Sequence, residues 1–160
     1  MRLLILIVLI YSFILSGCKE QSDKAASSEA SSILTSDKVN LSDLDGKTIA
    51  LSQYSGKTIF INFWATWCKP CVQEMPSLQR LTEKLKDKNI VFLFASDETQ
   101  DEIRGFKSSK GYQMEFVQAE SLMDLNIMGL PTTFIFDKKG TLTFSAMGAR
   151  EWDNDESIAL

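Results

Sequence analysis

Two cysteines three residues apart, in Trp67-Cys68-Lys69-Pro70-Cys71, are the strongest chemical signal in the chain. Thiols at this spacing on the first turn of a helix lie close enough to close a small disulfide ring. The unpaired N–H groups and partial positive charge of a helix N-terminus favour a thiolate at the first of them. A thiolate is the nucleophile of thiol–disulfide exchange, and such placement lowers a cysteine pKa from about 8.5 towards roughly 3.5 to 7.5. Cys68 is therefore the expected attacking thiol and Cys71, one turn in, the resolving one. Lys69 adds a nearby cation, and Pro70 limits the freedom of the active-site loop. Two other readings stay open, half of a zinc site and an inert structural disulfide. The first lacks partners, since the 160 residues hold no histidine and only one further cysteine, Cys18, so no metal is expected. The second is weak because so short a ring constrains the unfolded chain little. Without histidine, Ser-His and Cys-His pairs are excluded, and acid–base work falls to carboxylates.

The elements around the pair follow from apolar patterning. Thr58 to Trp64 is a nearly continuous β-branched and aromatic run, suited to a strand buried on both faces. From Pro70 to Asp87, apolar residues at Val72, Met75, Leu78, Leu81 and Leu85 mark an amphipathic helix, with Pro70 in its first turn and Pro76 bending it. Glu74 and Lys84 are expected on its solvated face. Asn89 to Ala95 reads as a second buried strand, and Thr99 to Lys110 as a polar helix stopping before Gly111. Strand, helix, strand in series implies a parallel pair with a crossover. Phe116 to Gln118 reads as a weak edge segment and Leu122 to Met128 as a short helix. Two hairpins complete the pattern, one around Asp45-Gly46 and one, Thr132 to Phe136 with Leu142 to Met147, around Asp137-Lys138-Lys139-Gly140. The fold class expected is α/β, a central mixed sheet with helices on both faces and an N-terminal β-hairpin extension. Trp64 is expected in the core and Trp67 at the rim, shielding the disulfide and contacting substrate. The six methionines are scattered and read as gap fillers.

The chain opens with one Arg, an apolar run and small residues ahead of Cys18, the three regions of a secretory signal peptide. The apolar run from Leu3 to Leu15 is 13 residues, short of the roughly 17 to 25 that cross a bilayer. Leu15-Ser16-Gly17-Cys18 resembles the bacterial lipobox, which implies cleavage before Cys18 and acylation of its thiol. Residues 18–38 are rich in Ser, Ala and charge and read as a flexible tether, leaving one domain over 39–160. Loss of residues 1–17 removes Arg2 and no acid, leaving 16 cations against 21 acids, a net charge of −5. Such a balance argues against a nucleic-acid partner.

Phe63-Trp64-Ala65-Thr66-Trp67-Cys68-Lys69-Pro70-Cys71, then Glu74-Met75-Pro76 and Gly129-Leu130-Pro131-Thr132-Thr133, resemble the thioredoxin-like disulfide reductases of the TlpA and ResA type, from about Val39 onward. The resemblance implies a thioredoxin-like fold and a cis Leu130–Pro131 bond facing the active-site disulfide, where Leu130 and Pro131 help bind an extended substrate. Cytoplasmic thioredoxins carry a buried Asp where this chain has Asn62. The resemblance assigns the proton-accepting carboxylate to Glu98, with Asp97 its nearest rival. It further implies a monomeric, extracytoplasmic, lipid-anchored enzyme with no cofactor beyond the Cys68–Cys71 disulfide. Its partners would be protein thiols and disulfides, such as apocytochrome c, and a membrane thiol relay as electron donor. Alternatives are a thiol oxidase or isomerase, and a non-catalytic peptide-binding module. A peroxide reductase is not expected, because its cysteine stands alone where here Cys71 follows at once.

Overall fold

The computed structural model describes residues 34–160. The signal-peptide and lipidation readings, Cys18 included, and most of the tether lie outside the described residues. Seven strands form one mixed sheet: β1 (Leu41–Ser42), β2 (Thr48–Ile49), β3 (Thr58–Phe63), β4 (Ile90–Ser96), β5 (Phe116–Ala119), β6 (Thr132–Phe136) and β7 (Leu142–Met147). Their order across the sheet is β2-β1-β5-β4-β3-β6-β7. Among the described residues three α-helices accompany it, α1 (Lys69–Lys84), α2 (Gln100–Lys110) and α3 (Asp155–Ile158).

β3 sits at the centre because nearly every residue in it can be buried, and Ile61 and Phe63 are fully so. It pairs in parallel with β4, Thr58 opposite Ile90, and antiparallel with β6, Ile59 opposite Phe136. The crossovers β3-α1-β4 and β4-α2-β5 step the same way across the sheet. Right-handed connections of that kind place both helices on one face. There Met75, Leu78 and Leu81 of α1 and Ile103 of α2 pack with Phe60, Phe94 and Phe116 of the sheet. The opposite face, formed by Ile59, Ile61, Phe63, Leu93 and Phe134 and extended at the sheet's edge by Leu41 and Ile49 of the β1–β2 hairpin, packs with single 3-10 turns at Leu51–Tyr54 and Met123–Leu125. Helical cover on this second face is thus reduced to 3-10 turns.

Two local expectations change. The segment from Phe116 is no edge: it pairs in parallel with β4 and antiparallel with β1, because the N-terminal hairpin returns to cover it. The helix expected over Leu122 to Met128 is the turn Met123–Leu125, which Asn126 ends by adopting the left-handed conformation at φ 55°. Elsewhere the local signals hold. Thr99 caps α2 through a reciprocal pair of bonds with Glu102, and Gly111 closes it at φ 68°. Among the described residues no helix is long and apolar enough to cross a membrane.

Candidate active site

Strand β3 delivers the chain to the sheet edge at Phe63, and Trp64 N–H donates to the Ala95 carbonyl at the end of β4. Ala65 to Trp67 then turn into α1. Cys68 is the N-cap of α1, its sulfur accepting from the Cys71 N–H at 3.3 Å. The sulfur therefore lies where helix N–H groups stabilise negative charge. Cys68 and Cys71 are joined as a disulfide, with Cα atoms 5.3 Å apart. Cys68 is 5 % exposed and Cys71 fully buried, which makes the first the accessible sulfur. Lys69 and Pro70 are the exposed first residues of the helix. Trp67 is 72 % exposed at the rim, while Trp64 is buried against Phe106 and Phe116.

Glu98 reaches this loop. Its carboxylate accepts from the Thr66 N–H at 2.7 Å, the Thr66 hydroxyl at 2.5 Å and the Ser96 hydroxyl at 2.9 Å. It clamps the residue two positions before Cys68, and the N-cap role belongs to Thr99. Asp97 is exposed, outside this set of bonds. Parallel strands ending on one edge bring Thr66 and Glu98 together, a neighbourhood invisible in the linear sequence until β3 and β4 are paired.

Glu74 departs from expectation. It is not on the solvated face of α1 but 3 % exposed beneath the active-site turn. Its Oε1 accepts from Asn62 Nδ2 at 2.8 Å, and its Oε2 from Trp152 Nε1 and the Arg150 N–H, both at 3.1 Å. Helical geometry explains the correction: Glu74 lies three residues after buried Cys71 and four before buried Leu78, on the inward stripe. The spacing was a usable signal, overridden by the rule that acids face solvent. Burial raises the Glu74 pKa above its usual value, and the bonds from Asn62, Arg150 and Trp152 work against that rise. Asn62, buried in β3, also donates to Thr133 Oγ1 at 3.0 Å, linking α1 to β6. The carboxyl nearest the middle of β3 is thus supplied by the helix, where the strand itself offers only an amide.

The Leu130–Pro131 bond is cis. Pro131 is buried and leads into Thr132, which pairs with Phe63 at the end of β3 and so enters the same sheet edge as the cysteine turn. Leu130 packs against the cluster that holds both cysteines. Met147, opposite Thr132, lies over Gly129, and it and Met128 are largely exposed beside this loop.

Comparison with known proteins places these features in context. The model of the AhpC/TSA family matches residues 35–145. The thiol-disulfide oxidoreductase ResA of Bacillus thuringiensis subsp. konkukian is 39 % identical over 106 residues, covering 62 % of this chain and 60 % of that protein. The thioredoxin-like protein YneN of Bacillus subtilis is 34 % identical over 110 residues, covering 64 % of each. The chain thus spans about three fifths of the length of the curated relatives it matches. Among solved structures, a putative thiol-disulfide oxidoreductase from Bacteroides vulgatus superposes with a TM-score of 0.68 at 27 % identity, over 81 % of this chain and 96 % of that one. The pneumococcal exposed lipoprotein thioredoxin Etrx1 from Streptococcus pneumoniae shares the fold at a TM-score of 0.61 and 23 % identity, over 75 % of this chain and 93 % of that one.

Proposed function

This chain belongs to the AhpC/TSA family and has a thioredoxin-like fold, and from that premise we propose that it is a thiol–disulfide oxidoreductase that reduces disulfides of protein substrates outside the cytoplasmic membrane. The observation that carries the reading is the Cys68–Cys71 disulfide at the N-terminus of α1, with the Cys68 sulfur in the N-cap position. In the reduced enzyme the Cys68 thiolate attacks a substrate disulfide. An S–S bond forms between Cys68 and one substrate sulfur, and the other sulfur leaves as a thiolate. The Cys71 thiol loses its proton to a carboxylate and its sulfur attacks Cys68. The enzyme disulfide closes and the second substrate sulfur departs. Two electrons pass to the substrate, and two protons complete its thiols.

Glu98 is the proposed proton acceptor, since it is bonded to the turn that carries Cys68 and is half-buried, within reach of exchange with solvent. The exposed Trp67, beside Cys68, and the Leu130–Pro131 loop at the same sheet edge suit an extended, partly apolar polypeptide. A thiol donor must reset the disulfide, and a membrane thiol relay is the proposed source. Cys18 is proposed to carry the lipid that anchors the enzyme, which acts as a monomer. Unfolded apocytochrome c, whose haem-binding cysteines must be reduced before attachment, is the proposed class of substrate.

Reduction of insulin disulfides coupled to a measured potential tests the reaction. A Cys68→Ser variant is expected to lose it, and Cys71→Ser to accumulate a mixed disulfide at Cys68. A potential near −270 mV fits a reductant, whereas one near −120 mV would make the protein an oxidant and overturn the direction proposed.

A further inference from the structure

We propose that the end of the domain opposite the disulfide docks on an anionic lipid bilayer and holds the active site facing away from the membrane. The proposal rests on the reading of Cys18 as the lipid carrier and extends it to the orientation of the whole domain. Five exposed lysines share this end: Lys57 before β3, Lys86 and Lys88 before β4, and Lys138 and Lys139 after β6. The sheet register brings them together, with Thr58 beside Ile90 and Ile59 beside Phe136. Gly56 N–H donates to the Lys138 carbonyl and Asn89 Nδ2 to the Gly56 carbonyl, pinning the three loops to one another. The acids in these three loops are Asp87 and Asp137, so the loops themselves are net positive in a protein that is net negative, with Glu115 near Tyr54 and Asp155 and Glu156 of α3 at their margin. The neighbouring Asp37 and Lys38 pair with each other at 3.7 Å.

The disulfide end has the opposite sign. The loops after β4 and β5 and the first turn of α2 carry Asp97, Glu98, Asp101, Glu102, Glu120 and Asp124, with Lys69, Arg150 and Arg104, which pairs with Asp101, the cations nearby. A second observation concerns the side on which the chain enters the domain. It enters at the lysine end, Leu34 accepting from the Leu142 N–H and Thr35 bridging Thr141 at the start of β7. Fifteen residues lie between Cys18 and Leu34, and the tether read from their composition would span roughly 19 to 23 Å. The lysine face can therefore reach the headgroups, and an anionic surface attracts it once it comes within about a Debye length, a range the far end of the domain does not enter in that orientation. A polybasic face beside an acyl chain is a second membrane signal. Because the mature protein is net negative, the effect is one of orientation once anchored.

The test is a lysine acetylation footprint of the full mature protein, extracted from membranes and reconstituted in vesicles of phosphatidylcholine alone or with about one third phosphatidylglycerol. Lys57, Lys138 and Lys139 are expected to react at least about threefold more slowly on the anionic vesicles at low salt, with the protection lost at high salt and Lys69 unchanged. The triple variant Lys57→Glu, Lys138→Glu, Lys139→Glu is expected to lose protection at Lys86 and Lys88 while reducing insulin at the unaltered rate. Equal footprints on both vesicles, with the N-terminal mass showing acylated Cys18, would overturn the docking and leave the anchor standing. An unacylated Cys18 would overturn the anchor and the orientation with it. Protection by soluble polyglutamate but not by vesicles would place an acidic polypeptide on this face instead and overturn the proposal.

Discussion

Glu98 and Glu74 approach the cysteine turn from different elements and in opposite environments, which separates what each can do. Glu98 is fixed by three hydrogen bonds donated by Thr66 and Ser96 and touches the backbone leading into Cys68. Replacing it with Gln is expected to shift the pH midpoint at which Cys71 becomes reactive to an alkylating agent. An unaltered profile would leave Glu98 a structural clamp and pass the proton to Glu74. Glu74 is buried, with a pKa raised above the ordinary 4.5, chiefly by burial. The native state then holds a proton that the unfolded state has already released, so stability falls as pH rises from about 4.5 through the raised value. Urea midpoints taken between about pH 4 and 8 are expected to show Glu74→Gln gaining on the parent protein across that window. The difference between the two proteins isolates this residue. Glu102, Asp137 and Asp153 are held low by hydrogen bonds from Thr99, from the Thr141 N–H and from Arg80 respectively, and act in the opposite sense in both proteins.

At the scale of elements, β3, β6, β7, α1 and α2 were legible because each carries its own local signal: a buried apolar run, turn residues, a cap. α2 is the clearest case, with Thr99 and Glu102 bonded to each other's backbone at its start. Thr99→Ala is expected to lower stability by about 1 kcal/mol in urea unfolding, and Thr99→Ser to retain most of it. The β5 segment reads as an edge in the sequence because four residues of strand carry no record of their neighbours; the N-terminal hairpin pairs with Gln118 and Ala119, while Phe116 is buried by Trp64 and Phe106. The Met123–Leu125 turn was over-extended for a related reason. Asn126 can continue a helix or end it, and the left-handed conformation it adopts is decided by the packing of Leu125 and Ile127 into the core.

At the scale of the molecule, the C-terminal segment closes the core over the site. Trp152 is buried, edge-on to Phe60, and its indole N–H donates to Glu74. Trp152→Ala is expected to cost about 3 to 5 kcal/mol in chemical denaturation. It should also admit water to Glu74, bringing its pKa back towards the ordinary range in a carboxyl titration. Trp152→Phe keeps most of the packing but removes the donor, and is expected to cost less.

The cysteine pair, its place between a buried strand and a helix, and the α/β class were all determined by the sequence, because spacing and periodicity are local and survive without coordinates. Which carboxyls are brought beneath and beside the cysteine turn was decided by tertiary structure. Parallel pairing of β3 and β4 brings Glu98 to Thr66, and the packing of α1 on β3 with Trp152 beneath it turns Glu74 inward onto Asn62. A charged residue reads as solvent-facing in a linear sequence. Only when donors arrive from other segments, for Glu74 from β3 and from Arg150 and Trp152, can its burial be offset, and the arrival of those segments is a property of the folded chain.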